Sequence, residues 1–294
     1  MIEKSFQELI DSQPKTASPE FLLVGGGSSV GKSAIVSLLK HVGTIRPQAL
    51  VLGPELIKEY YPEFESRPGE RHGHREKDPE NIARYHRVLL DAIDYALTSG
   101  VSVVLDDHGE DLPFIRRVAD RVGHSPVKTE TAMIGVYLPP ENYIARLKKV
   151  GVSDPSSKPF SFAMHAAKGY AKNFDRLVPL FDTTILYEIK GDKPIVTAEY
   201  ITEAGKVKEN GKDQKRFDEF QAIRQWGEQE LEGTPDDDGV PGAAMEPARQ
   251  GRDGNAASRN HLGNRIQTTP YSSIDWKAFR AKLKAEKASR EPKR

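Results

Sequence analysis

Between residues 21 and 189, short and nearly continuous apolar runs alternate with longer stretches in which apolar residues recur every three or four positions. The first pattern belongs to strands covered on both faces, the second to amphipathic helices. The apolar runs are Phe21 to Gly25, Ala49 to Gly53, Val101 to Leu105, Thr131 to Leu138 and Thr183 to Ile189. Between them the spacing predicts helices over about 31–42, Pro54 to Tyr61, Asp78 to Gly100, Asp111 to about Val122, Pro140 to Val150 and Ser161 to Leu180. Local chemistry supports these ends. Asp78-Pro79-Glu80 offers a cap, a first-turn proline and an early acid, after which Ile82, Tyr85, Leu89, Ile93 and Leu97 repeat until Gly100 stops the helix. Such an order predicts an α/β fold, a parallel sheet covered by helices on both faces, with right-handed connections and a site at the C-terminal ends of the strands.

The flanking stretches read differently. Residues 1–20 predict an N-terminal arm, with an amphipathic helix around Ser5 to Ile10 and a linker punctuated by Pro14 and Pro19. The central domain is expected over 21–205, with Pro194 to Thr202 pairing as a hairpin on the preceding strand. A charged helix is expected within 206–232, from Asp213 to Leu231. A Gly-, Pro-, Asp- and Asn-rich linker covers 233–270, and 271–294 reads as a basic amphipathic helix with Trp276, Phe279 and Leu283 on one face, docking back on its own domain. Residues 65–77 are a charged surface loop; its His72 and His74 stand at close spacing but without a second pair at metal-ligand distance, so a solvated loop is the reading.

The chemistry starts where the first strand breaks into glycines. Gly26-Gly27-Ser28-Ser29-Val30-Gly31-Lys32-Ser33 fits G-x-x-x-x-G-K-[ST], with a strand before it and a helix after it. Glycines allow the backbone N–H groups to wrap around phosphate oxygens, and the following helix directs its positive dipole end at the same anion. Lys32 would reach the β- and γ-phosphates, and the Ser33 hydroxyl would be a ligand of Mg²⁺. The expected cofactors are therefore ATP or GTP with Mg²⁺.

The other strand ends supply what phosphoryl transfer needs. Glu55, at the start of the helix after the second run, can accept the proton of an attacking hydroxyl. Asp106 follows an apolar run, Val103-Val-Leu105, and would hold or orient Mg²⁺, while Asp107 and His108 face the acceptor. Arg146, Lys148, Lys149 and Lys158 flank the Ser/Pro-rich loop 151–159, where a closing lid would stabilise charge on the transferring group.

Composition narrows the field without changing it. The chain has 294 residues, 37% hydrophobic and 29% charged, enough for one large or two modest soluble domains. Its 43 basic residues balance 43 acidic ones, which disfavours a nucleic-acid-coating role. The absence of cysteine removes disulfides, thiolate metal sites and cysteine nucleophiles, and accords with a reducing cytoplasm. Met1 to Ser18 lacks the apolar core of a signal peptide, and no run is long enough to span a bilayer. The expected location is cytoplasmic, with secretion into a target cell by a signal-less route left open.

Taken together, the P-loop, the strand-end acid followed by Ile57-Lys58 and Pro62-Glu63-Phe64, the long helix, the Val-Val-Leu-Asp strand end and the basic lid resemble the zeta toxin family of P-loop kinases. The resemblance runs from about Phe21 to Ile189. It implies a nucleotide-kinase-like fold and transfer of a γ-phosphoryl group to a hydroxyl of a nucleotide-containing metabolite; some members phosphorylate the 3′-hydroxyl of UDP-N-acetylglucosamine and are neutralised by an antitoxin protein. By position, Glu55 falls where the family has its catalytic Asp, Asp106 where it has a strand-end Glu, and Lys149 and Lys158 near its two lid arginines. The carboxylate swaps keep charge but move it by one methylene, and Lys in place of Arg loses the planar fork, so UDP-sugar specificity does not carry over with the resemblance. Three other readings stay open at this point: a polynucleotide 5′-kinase; a GTPase-type switch built on Asp106-Asp107-His108-Gly109, which lacks an Asn-Lys-x-Asp base reader; and a catalytically inactive nucleotide-binding interaction protein.

Overall fold

A computed structural model describes residues 2–64, 79–154, 156–191 and 193–225, the side chains of residues 79 and 158 excepted. The chain divides into Met1–Gly233 and Thr234–Arg294, and every described residue lies in the first unit. The charged loop with His72 and His74, the linker and the basic C-terminal helix fall outside the described residues.

Five strands run parallel in the order β2-β3-β1-β4-β5: β1 (Glu20–Gly25), β2 (Leu50–Leu52), β3 (Val103–Asp106), β4 (Glu130–Tyr137) and β5 (Thr183–Lys190). Consecutive residues of β1, Phe21 to Gly25, are all buried, as are Val103 to Leu105 of β3. Since neighbouring residues in a strand point to opposite faces, both faces of the sheet are covered, as the unbroken apolar runs predicted. Between these strands lie α2 (Lys32–His41), α3 (Pro54–Tyr60), α4 (Pro79–Thr98), α5 (Leu112–Gly123), α6 (Pro140–Lys149) and α7 (Lys158–Leu177). This is the α/β P-loop fold of the nucleotide-kinase type. The N-terminal arm folds as α1 (Lys4–Asp11), which buries Phe6 and Ile10 and stacks the Phe6 ring on Tyr60 of α3, 5.0 Å between centroids.

Element ends follow capping chemistry. Asp111 caps α5 by accepting from Phe114 N–H at 2.9 Å. The sequence places the start of α7 at Ser161, whereas the helix begins at Lys158, because Ser157 accepts from Phe160 N–H and Pro159 fits a first turn that has no use for its missing N–H. Its far end tightens into a 3₁₀ turn at Val178–Leu180 rather than continuing as α-helix.

Beyond β5 the sheet continues with antiparallel strands β6 (Lys193–Glu203) and β7 (Lys206–Lys212), making seven strands in all. The hairpin pairing of β6 follows the expectation. β7 does not: Lys206-Val-Lys-Glu-Asn-Gly-Lys212 is exposed on both faces almost throughout and carries no alternation to read. The turn that makes it possible has Ala204 and Gly205 both in the left-handed region, φ 49° and 74°. The charged helix expected from Asp213 to Leu231 is α8 (Gln214–Ala222), capped by the Asp213 carboxylate on Arg216 N–H; residues 226–231 of that span lie outside the described residues. Phe220 of α8 packs edge-on against Phe174 of α7 at 5.0 Å, and Arg224 donates to the Ala171 carbonyl at 2.8 Å and pairs with Asp175 at 2.6 Å.

Candidate active site

Parallel pairing sets the strand ends level. Val24 of β1 stands opposite Asp106 of β3, and Gly25 opposite Gly135 of β4, so the loops leaving β1 and β3 emerge side by side. The pairing extends one step further, with Asp107 N–H donating to Val24 O at 3.1 Å and Gly26 N–H to His108 O at 3.3 Å. On the other side of β3, a Cβ at Gly53 would lie 3.3 Å from Asp106 Cβ, which puts the start of α3 beside the same carboxylate.

The P-loop leaves β1 by a backbone path that needs its glycines. Gly26 has φ 141°, and a Cβ there would fall 2.2 Å from the Val136 carbonyl oxygen; Gly31, the N-terminal flank of α2, has φ 108°. Ser29 also adopts φ 62°, an uncommon conformation for a side-chain-bearing residue, in a loop read as a phosphate cradle. Tyr143 of α6 supports the loop from below, its hydroxyl within hydrogen-bond reach of the Ser28 carbonyl at 2.7 Å and the Ala163 carbonyl at 2.9 Å. One proton can serve only one of these at a time. Arg146, one turn on, donates from Nε to the Ser29 carbonyl at 2.7 Å.

Lys32 is buried in the first turn of α2. Its ammonium donates to the carbonyls of Gly26 and Gly27, both at 3.2 Å, and lies 3.7 Å from the Asp106 carboxylate. Burial pulls the Lys32 pKa down, and the charges of Asp106 and Asp107 pull it back up without overcoming the desolvation. Asp106 is raised, first by desolvation and against the attraction of Lys32. Asp107 is raised by desolvation too, although its carboxylate accepts from Gly109 N–H at 2.7 Å. Ser33 is exposed beside Lys32 at the helix start. Its hydroxyl and the Asp106 carboxylate are hard oxygen donors of the kind Mg²⁺ takes together with nucleotide phosphates. Among the described residues no cluster of three or more His, Asp or Glu side chains is placed to hold a metal by itself.

The remaining expected residues are distributed unevenly. Glu55 sits in the first turn of α3 with its side chain 93% exposed, 3.8 Å from Lys58. His108 lies on the loop after β3, half-buried, with its ring edge-to-face with Phe162 of α7 at 5.4 Å. Lys148 and Lys149 end α6 exposed, whereas Arg146 of the same helix is laid on the P-loop. Lys158 opens α7, and its side chain lies outside what the structure describes. Val30 is a buried packing residue of the loop.

Sequence reasoning did not single out Tyr143, Gly169, Tyr170 or Asn173, all of which touch the loops. Tyr170 lies across three glycines: a Cβ at Gly25, Gly109 or Gly135 would come within 2.5, 2.8 and 2.2 Å of its side chain. The run of small residues Ala163, Ala166, Ala167 and Gly169 was a legible signal of close helix approach, since small side chains let another backbone draw near.

A glycine-rich turn at the end of the central parallel strand, a buried lysine facing a strand-end carboxylate and an arginine on the turn are the arrangement of the P-loop fold class. Within that class, the model of the zeta toxin family matches residues 6–122, which include the P-loop, α3 and the end of β3. The resemblance carried by those residues is therefore a finding. Among solved structures, the chain is similar to one from the PezAT chromosomal toxin–antitoxin system of Streptococcus pneumoniae, with 11% identity over 79% of this chain and 99% of that one, TM-score 0.46. It is also similar to the AvrRxo1-ORF1:AvrRxo1-ORF2 pair solved with ATP, with 15% identity over 74% of this chain and 68% of that one, TM-score 0.47. No curated protein matches the chain. Among the described residues no helix is long and apolar enough to cross a membrane.

Proposed function

We propose that the chain transfers the γ-phosphoryl group of ATP or GTP to a hydroxyl of a small, nucleotide-containing metabolite of the UDP-sugar type, as a toxic kinase. The observation that carries this reading is the ion pair of Lys32 and Asp106 across the ends of β1 and β3, beside the start of α3. Bound β- and γ-phosphates would draw the Lys32 ammonium from the Gly26 and Gly27 carbonyls, and the backbone N–H groups of the P-loop would hold the same oxygens. Mg²⁺, held by Ser33 and Asp106, would supply charge neutralisation to the phosphates.

In the transfer, Glu55 accepts the proton of the acceptor hydroxyl as that oxygen bonds to the γ-phosphorus. The bond from phosphorus to the β–γ bridging oxygen breaks, and the nucleoside diphosphate leaves with the electron pair. Arg146, Lys149 and Lys158 offset the negative charge spread over the transferring oxygens. Asp107 and His108 line the acceptor side. The zeta toxin resemblance also brings an antitoxin as the expected protein partner, one that restrains the activity in the producing cell.

The test is incubation with γ-labelled ATP or GTP and a metabolite extract, read by mass spectrometry for small molecules that gain one phosphate. Wild-type protein labels a metabolite. Lys32→Ala abolishes the label, and Glu55→Gln lowers transfer by about 10²-fold or more while leaving nucleotide binding intact. Label found solely as free phosphate would reject the kinase reading in favour of an NTPase or switch.

A further inference from the structure

Helix α7 touches both loops of the site, and it does so through two adjacent stripes. One stripe reaches the P-loop: the Ala163 carbonyl lies 2.9 Å from Tyr143 Oη, and a Cβ at Gly27 would meet Ala167 Cβ at 2.9 Å. The other stripe, Phe162, Gly169, Asn173 and Leu177, recurs at helical spacing and faces the loop that follows β3. Phe162 meets the His108 ring, and Gly169 lacks a Cβ where one would fall 2.8 Å from Glu110 Cβ. Leu177 closes the far end, 3.4 Å from where a Cβ on Gly109 would stand.

Asn173 is the polar member of this stripe. Its Nδ2 donates to the Glu110 carbonyl at 2.7 Å and to the Gly109 carbonyl at 3.3 Å. Gly109 stands in the left-handed region at φ 71°, where the chain turns sharply between Asp107 and the start of α5. The first half of the loop is held to β1 and the P-loop, by Asp107 N–H on Val24 O at 3.1 Å and Gly26 N–H on His108 O at 3.3 Å, whereas the ties of Gly109 and Glu110 besides Asn173 include the Asp107 carboxylate on Gly109 N–H at 2.7 Å and Leu112 N–H on Glu110 O at 3.2 Å. These last two are local, within a few residues. The two Asn173 bonds reach more than sixty residues along the chain, to a helix whose first residue is Lys158.

We propose that Asn173 is a positioning residue for the acceptor loop 106–110: its amide ties Gly109 and Glu110, the half of the loop not paired with β1, to α7, and so limits how far Asp107 and His108 can shift against the P-loop. The structural part stands on the contacts alone; the kinetic part rests on the kinase reading above. Because an error of about 1 Å in placing a reacting group can cost on the order of 10²-fold in rate, a tie of this kind governs transfer without touching substrate.

The experiment compares wild type, Asn173→Leu, Asn173→Asp and Asn173→Gln in the full chain. Amide exchange is followed in peptides reporting on 106–111 and 27–33, the latter leaving out Gly26 because its N–H is bonded to His108 O, and γ-labelled ATP is partitioned between the metabolite extract and water. Leu and Asp remove the donor, so exchange in 106–111 accelerates by about tenfold or more while 27–33 stays as in wild type; Gln, which keeps the donor, falls between. Transfer turnover drops about tenfold, hydrolysis to water persists, and KM for ATP stays within about twofold. Unchanged exchange in 106–111 overturns the proposal. So does equal acceleration in both segments, or a joint shift of turnover and KM for ATP, since either makes Asn173 a general packing residue. If wild type labels no metabolite the kinase reading falls, and the exchange arm still decides the role of Asn173. Should Asn173→Leu not fold, the Asp and Gln pair carries the comparison.

Discussion

Lys32 and the two carboxylates Asp106 and Asp107 show burial and attraction opposing each other within a few ångströms. For all three, burial shifts the pKa toward the neutral form more than the opposite charges shift it back. Asp107 gives a measurable consequence. Its folded pKa lies above the ordinary 3.8, so between those two values the folded chain retains a proton that the unfolded chain has released. Stability therefore falls as pH rises through that window, and the penalty is complete above the folded pKa. Asp107→Asn keeps an oxygen for Gly109 N–H and carries no charge, so its thermal midpoint should gain on wild type as pH rises from about 4 and converge with it below. Calorimetric scans across pH would show this, and a difference that does not vary with pH would contradict it. The residue types at the site were legible because phosphate chemistry restricts them: a P-loop needs glycines at positions such as Gly26 and Gly31, and a cation at Lys32. Tyr143 and Asn173 were not legible, since tyrosine and asparagine serve many roles and these two act on carbonyls more than sixty residues away in sequence.

At the scale of elements, α7 is the piece that gathers the site. Tyr170 is 1% exposed and lies over Gly25, Gly109 and Gly135, and its hydroxyl has no hydrogen-bond partner among the described residues. A buried hydroxyl without a partner carries its full desolvation cost, whereas the ring supplies packing. Tyr170→Phe should therefore leave stability unchanged or raise it, while Tyr170→Ala should lose about 3–5 kcal/mol, both read from denaturant unfolding. Loss of stability in Tyr170→Phe would mean that the hydroxyl has a partner after all. Helices with a clear apolar face and a capping residue were read to within a few positions, α5 with its Asp111 cap among them. β7 was not read, because an edge strand exposed on both faces needs no apolar alternation and is held instead by its backbone ladder to β6. α8 was read from its charge alone; burial of Phe220 against α7 holds it together with the ion pair of Arg216 and Glu188 of β5 at 2.9 Å.

Across the whole molecule, β1 to α8 form one continuous sheet-and-helix body within Met1–Gly233, and all the described site residues lie inside it. A chain ending at Gly233 should accordingly unfold in one cooperative transition and bind nucleotide with unchanged affinity, by calorimetry. A loss of affinity of about tenfold or more would place part of the nucleotide site in Thr234–Arg294. What the sequence determined by itself was the class: apolar runs alternating with amphipathic stretches dictate a parallel sheet between helices, and the glycine-rich pattern with Lys32 and Ser33 dictates a P-loop turn at the end of its first strand. Those are local properties of periodicity, turn geometry and charge, readable one segment at a time. Tertiary structure alone decided which residues meet: that Asp106 faces Lys32 across two strands distant in sequence, that Arg146 is laid on the P-loop, and that α7 lies across three glycines and bonds the loop after β3. Contacts of that kind depend on register, on the absence of a Cβ and on the direction of a side chain in space, quantities that arise only when the elements are packed together.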